Sequence, residues 1–266
     1  MLERKLGPKA PVDVKALSLE GMEKREERWF EVERDITQEN REKIKERLAR
    51  SRIQGAWGSF VGLASEMYLL GMEPEITIND KQKMKEALAN HQSRKRWWNF
   101  ARLASDMRLF GIEPELTSDD EVKIEETLVN YRNTEDWYNL ALIASDMRRL
   151  NIETKITQED IKKIRETITR YQGGWWMNSL RLASTMRILG IEPEITPQDK
   201  ENVKKGFIQD GESGYWGTFA SIASYMRSLS ADEIKVGGPK GLEIIDYAKK
   251  PRLAKETPSL PDQRNF

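Results

Sequence analysis

Paired glutamates and single arginines recur along the chain, and their spacing decides what chemistry they can do. Glu73/Glu75, Glu113/Glu115 and Glu192/Glu194 are paired carboxylates. General acid–base work needs two carboxyls converging on one pocket with separated pKa values. Three copies of one pair read instead as solvated turn acids. Arg108, Arg148, Arg187 and Arg227 form a second series, which Tyr68 interrupts. Two readings stay open for it. Each cation can favour the carbonyl end of its own helix, worth a few tenths to about 1 kcal/mol. Alternatively the series is a ladder that reads phosphates or acidic side chains, one per repeat. The chain has one histidine, His91, and no cysteine. That removes thiolate nucleophiles, disulfides, zinc knuckles and multi-histidine metal sites, and leaves a Ser-His-Asp triad without support. His91 stands where Tyr131 and Tyr171 stand in other copies, which points to packing. The reading is non-enzymatic, with no catalytic residue, cofactor or metal.

The elements that carry these residues are tandem repeats. Ala-Ser occurs at Ala64-Ser65, Ala104-Ser105, Ala144-Ser145, Ala183-Ser184 and Ala223-Ser224, at spacings of 40, 40, 39 and 40. Seven residues before each Ala stands a Trp (57, 97, 137, 176, 216), and three after it a Met (67, 107, 147, 186, 226). A Thr keeps the same beat at Thr37, Thr77, Thr117, Thr157 and Thr196.

Each period reads as two helices. In the first, apolar residues fall at offsets 0, 3, 6, 10 and 13 from Trp57, with Ala at 7, one helical stripe. The Trp series is expected to be core. Gly71, Gly111, Asn151 and Gly190 then end this helix in the left-handed conformation. The residue after each of these (Met72, Ile112, Ile152, Ile191) should seal against the recurring Met. The second helix starts at the Thr, an N-cap followed three residues later by Asp80, Asp120, Asp160, Asp199 or Asn40. Its apolar stripe is thin, as suits an outer helix.

Such a unit cannot bury its apolar face alone, but stacked copies can. The chain therefore resembles the α-solenoid superclass of HEAT and tetratricopeptide proteins, in architecture only. The expected fold is all-α: a right-handed solenoid of about five 40-residue helix–turn–helix repeats with irregular tails. Residues 1–21 form an N-terminal extension, 22–230 the solenoid and 231–266 an extended C-terminal tail. A polar cap helix is expected near Met22 to Phe30, and one or two helical turns at Leu242 to Ala248.

A second stripe lies beside the first, at offsets 1, 5, 8 and 12. Offset 8 is always Ser, whereas offsets 1 and 5 vary from copy to copy. Trp98, Arg102, Tyr138, Leu142, Met177 and Arg181 are therefore candidate partner contacts, of types enriched at interface hot spots; padding between unequal neighbours is the other reading. The Arg108, Arg148, Arg187 and Arg227 series joins them. In the tail, Leu242, Ile245, Tyr247, Leu253 and Phe266 are spaced apolar anchors, expected to grip a partner in trans.

The 44 basic and 44 acidic residues balance, which counts against a phosphate-backbone binder. No run approaches the length of a membrane span, and the charged start shows no secretory signal. The expected setting is cytoplasmic. A charged fraction of 33% without cysteine tilts toward a thermophilic source. The functional expectation is a protein–protein scaffold or accessory subunit of a larger assembly. The alternative is a modular binder of single-stranded RNA.

Overall fold

The computed structural model describes residues 36–172 and 175–230 and, beyond them, two short strands. Ten helices follow one another: α1 (Gln38–Ile53), α2 (Trp57–Leu69), α3 (Ile78–Ser93), α4 (Trp97–Leu109), α5 (Ser118–Asn133), α6 (Trp137–Arg149), α7 (Gln158–Tyr171), α8 (Trp176–Ile188), α9 (Pro197–Glu212) and α10 (Trp216–Ser230). The odd-numbered helices are the Thr-capped ones. Thr37, Thr77, Thr117, Thr157 and Thr196 each close a reciprocal capping box. At Thr77, for example, the backbone N–H donates to Asp80 Oδ2 at 2.8 Å while Asp80 N–H donates to Thr77 Oγ1 at 3.2 Å. Local chemistry alone therefore starts these helices.

The even-numbered helices depend on burial instead. The residues preceding α2, α4 and α8 make no side-chain cap. Each of the first four ends as the spacing predicts. Gly71 has φ 70°, and Asn151, the one non-glycine of the series, has φ 58°. The N–H of Met72 then donates to the Met67 carbonyl at 2.9 Å, and that of Ile152 to Met147 at 2.9 Å. These are the backbone bonds of a helix end sealed by an apolar pair.

The repeats stack as a solenoid, but the stack does not stay open. α2, α4, α6, α8 and α10 pack in succession, and α10 packs in turn against α2 and α1. The result is a closed inner ring of five helices jacketed by α1, α3, α5, α7 and α9. α1 lies between α10 and α2 as α3 lies between α2 and α4. A ring has no terminal repeat with an uncovered apolar face, so it needs no capping helix. The segment from Met22 to Phe30 lies outside the described residues.

The core sits between the two layers. Phe60, Phe100, Leu140 and Phe219, three residues after each Trp, are almost fully buried, as are Met67, Met107, Met147, Met186 and Met226. The Trp series departs from expectation. Trp57, Trp97, Trp137, Trp176 and Trp216 are only partly buried and pack against the core from its edge. Trp97 meets Phe100 edge-on with ring centroids 5.5 Å apart. The indole is too large to enter a layer already filled by the ring one turn later. The fourth copy shows the trade: its position three is Ser179, and Trp176 instead presses on α9, where a Cβ at Gly206 would stand 2.2 Å from the indole.

The tail also differs from expectation. Glu233–Val236 (β1) and Glu243–Asp246 (β2) pair antiparallel, with Ile234 opposite Ile245, and β1 approaches α8. Leu242 to Ala248 thus contains a strand rather than helical turns. Branched residues in both segments favour extended backbone. The start of the tail approaches α8 of its own ring. Leu242, Tyr247, Leu253 and Phe266 lie outside the described residues. No helix among the described residues is long and apolar enough to cross a membrane.

The depth difference between the two aromatic series is measurable. Phe100→Ala should cost about 3–5 kcal/mol in urea unfolding, and Trp97→Ala roughly half of that, because its indole leaves less cavity behind. Equal losses would contradict the layer assignment.

Candidate functional site at the ring axis

The inner helices run parallel in one register, and two side-chain series set it. Ser65 Oγ donates to Asp106 Oδ1 at 2.9 Å, and Ser105 Oγ to Asp146 Oδ1 at 2.8 Å, each stepping from one inner helix to the next. The arginine series makes a parallel step. Arg108 Nη1 donates to the Arg149 carbonyl at 3.4 Å, and Arg187 Nη1 to the Ser228 carbonyl at 3.0 Å and also to that of Leu229. These carbonyls belong to the last turn of the following inner helix, where unpaired acceptors collect. Arg227 makes the corresponding approach across the closing seam: a Cβ at Gly71 would lie 3.0 Å from its Nη1. Arg148 occupies the same position on α6. Arg108 and Arg187 therefore serve the end of the neighbouring helix, a role neither sequence reading anticipated.

A third series ties the outer layer. Arg52 Nη2 pairs with Asp80 Oδ2 at 3.0 Å, Gln92 Nε2 donates to Asp120 Oδ1 at 2.7 Å, and Arg132 holds both oxygens of Asp160 at 3.0 and 2.9 Å. Each links the end of one outer helix to the capping-box acid of the next. Burial works against the Asp160 carboxylate, but the Arg132 and Thr157 hydrogen bonds outweigh it and lower its pKa. At the seam the corresponding positions are Gly211 and Asn40, so this tie is not made.

Position five of the second stripe turns toward the ring axis, where Arg102 meets Asp106 and Ser221 meets Glu66 of the neighbouring inner helix. The five axes stand about 8 Å from the centre when neighbours are about 9–10 Å apart. Helices about 10 Å across then leave room for side chains and little else. Leu142 is accordingly buried, at 3% exposure. Trp98, Arg102, Tyr138, Met177 and Arg181 are half-buried. Tyr138 packs edge-on against Tyr171 with centroids 5.6 Å apart. Trp98 Nε1 is buried without an acceptor among the described residues. Tyr138 thus packs on the outer helix α7 and Trp98 lines a groove with Thr127 and Tyr131 of α5, and none of the six predicted contacts is fully exposed.

Three of them have charged or hydroxyl neighbours that sequence reading missed. Glu66, Asp106, Asp146 and Tyr225 all stand nine residues after their Trp, with Thr185 in the remaining copy. Arg102 Nε reaches Asp106 Oδ2 at 3.4 Å, and Arg149 Nη1 lies 3.8 Å from Asp106 Oδ1. Burial disfavours the Arg102 guanidinium, yet Asp106 and Asp146 overcome it and raise its pKa further, so it stays charged. Burial raises the Asp146 carboxyl, against the pull of Arg102 and Arg149, and its Oδ2 has no hydrogen-bond partner among the described residues. Ser221 Oγ of α10 donates to Glu66 Oε1 of α2 across the seam. Burial lifts Glu66 from 4.5 to about 7, with the Ser221 bond and Arg102 only partly offsetting it. Burial likewise raises the Tyr225 hydroxyl. The signal for this layer was present in the sequence: one position between the invariant Ser and Met is polar in every copy.

Elsewhere, burial and the nearby Arg96 and Arg94 lower the His91 pKa. Among the described residues no cluster of His, Asp and Glu could hold a metal ion.

The Glu66 shift has a defined sign. A carboxyl whose folded pKa lies above its ordinary value destabilises the fold when it ionises, so stability falls as pH rises from about 4.5 to about 7. Glu66→Gln keeps the acceptor for Ser221 and removes that loss. The variant should exceed the parent by roughly 1–3 kcal/mol above neutral pH and match it at the acid end of the window. A constant difference across the window would contradict the assignment.

Compared with known proteins, the chain matches no family model, no curated protein and no solved structure, so the functional reading rests on its own geometry.

Proposed function

We propose that the protein is a non-enzymatic interaction scaffold that meets protein partners at the rim of its ring where the inner helices begin. One observation supports this reading above the others. Trp175 and Tyr215 immediately precede α8 and α10 and are 68% and 64% exposed. Large aromatics in the open on successive repeats are unusual for a surface that meets only water. Next in order around the rim is a groove of about 510 Å3 between α1 and the start of α10, lined by Lys43, Glu46, Arg47, Arg50 and Tyr215 among others. Lys43 is 3.4 Å from Glu46. The Arg47 and Arg50 guanidiniums have no partner among the described residues. Aromatic anchors beside unpaired guanidiniums suit a partner segment that presents acidic and apolar side chains. The tail belongs to this reading as a second element, reaching partners from the side on which β1 meets α8.

The RNA-binding alternative has less support. It needs one arginine and one aromatic per repeat pointing at a strand. Arg108 and Arg187 instead donate to carbonyls of the neighbouring helix. The aromatics of the second stripe are half-buried beside the neighbouring outer helices.

Surface changes at the rim should leave the fold intact, within about 0.5 kcal/mol for each substitution. Trp175→Ser with Tyr215→Ser, and separately Arg47→Glu with Arg50→Glu, should each abolish co-purification of partner proteins from the native source. Retention of all partners by both variants would overturn the rim assignment. A gel-shift titration of single-stranded RNA should show no sub-micromolar binding at physiological salt. Tight binding with a steep salt slope would favour the alternative.

A further inference from the structure

The polar layer at the axis is more than a way to hold five helices together. Its carboxylates have protein partners: Asp106 takes Arg102 and Arg149, Asp146 accepts from Ser105, and Glu66 accepts from Ser221. Arg181 of α8 sits in the same layer, half-buried, and makes no hydrogen bond or ion pair among the described residues. The Tyr225 hydroxyl on the adjoining α10 is likewise without an acceptor among them. Both lie within electrostatic reach of Glu66. A guanidinium and a hydroxyl with no hydrogen-bond partner in one layer are free to hold an anion together.

There is also space. Positions five after each Trp are Gly62, Arg102, Leu142, Arg181 and Ser221. Gly62 is the one without a side chain, and a Cβ placed there would find no atom within 4 Å. The axis is too narrow for a peptide or a nucleic-acid strand. It can admit only a small solute.

We propose that the ring axis binds a small oxyanion, a carboxylate or a phosphate, held by the Arg181 guanidinium and the Tyr225 hydroxyl in the space beside Gly62. The Arg181 fork matches two oxygens of either anion, and the Tyr225 O–H donates to a third contact. Because Arg102 is already neutralised by Asp106, Arg181 supplies the attracting charge. Glu66 is the opposing group. Facing it are Arg102 and Asp106 from α4, Arg181 from α8, and Ser221 and Tyr225 from α10; α1 and α3 also pack on α2 and bring no charge to it. An anion beside Arg181 is repelled by ionised Glu66 and tolerated by protonated Glu66, so binding strengthens as pH falls through neutrality. The site does not depend on the rim: partner binding can fail while oxyanion binding persists, and the reverse.

Isothermal titration of the full chain with malonate and with inorganic phosphate, at about pH 6 and about pH 8, tests this directly. Binding of either probe, at least about tenfold weaker in Arg181→Gln and in Gly62→Leu, is the expected result. The probe that binds identifies the source chemistry. Glu66→Gln should bind at the higher pH as the parent does at the lower. Far-ultraviolet circular dichroism checks that each variant is folded; should Gly62→Leu fail to fold, Arg181→Gln and Tyr225→Phe carry the test. No binding of either probe at either pH, or binding undiminished in folded Arg181→Gln, would overturn the proposal.

Discussion

Five steps between parallel helices must add up to a full turn, and that condition governs the rest of the molecule. In an open solenoid a small error in the rotation per repeat merely changes the curvature. Here it would leave a gap or a clash between α10 and α2. The rotation is set where inner helices touch, by an alanine with almost no exposure in every copy and by the serine beside it. Two independent hydrogen-bonded series repeat that step, Ser to Asp near mid-helix and Arg to carbonyl at the end of the next helix. A shift of one residue between neighbours would disconnect both at once. The uniform spacing of Trp, Ser and Met in the chain is the sequence record of this geometric demand.

The repeat unit, its helix ends and its outer capping were legible because they rest on local rules. A Thr followed three residues on by Asp can do little other than start a helix, and Gly71 and Asn151 end helices as their conformational freedom allows. Closure was not legible. It depends on a contact between Ser221 and Glu66, 155 residues apart, and no periodic marker reports how far successive repeats rotate. The same blindness left Trp98, Arg102 and Arg181 open between partner contact and padding: helical spacing identifies a stripe, and only the neighbours decide whether it looks outward or inward. The depth of the Trp series failed for a related reason. An invariant large aromatic suggests the centre of a core, whereas Phe60, Phe100 and Phe219 already fill it and leave the indoles at the edge.

Five-fold repetition and function pull in opposite directions. A symmetric axis would place five identical side chains against one another, and five like charges there would not fold. The chain resolves this by making the axial positions individual: a glycine, a leucine and a serine at some, arginines and acids at others. The departures gather around α10, α1 and α2. Gly211 and Asn40 drop the outer tie there, Arg47 stands where Ala87, Thr127, Thr167 and Gly206 stand elsewhere, and Glu66 joins the seam to the axial layer.

The seam also sets how the ring must be built and lost. The hydrogen bonds between neighbouring repeats span 41 residues, so those repeats can dock as soon as they are made. The last junction must instead close nearly the whole solenoid, the largest loop in the molecule and the one with the greatest entropic barrier. It has the packing of α10 on α2 and α1, without the Arg or Gln tether that fastens the outer helices of the earlier repeats. Folding should therefore proceed through a curved but unclosed chain, and unfolding should begin by parting α10 from α1 and α2. In that opened form the two exposed edges are complementary, and a second chain in the same state offers the matching pair. Exchange of edges between two molecules, giving one ring of twice the repeat number, is the misassembly this architecture must outrun each time it folds.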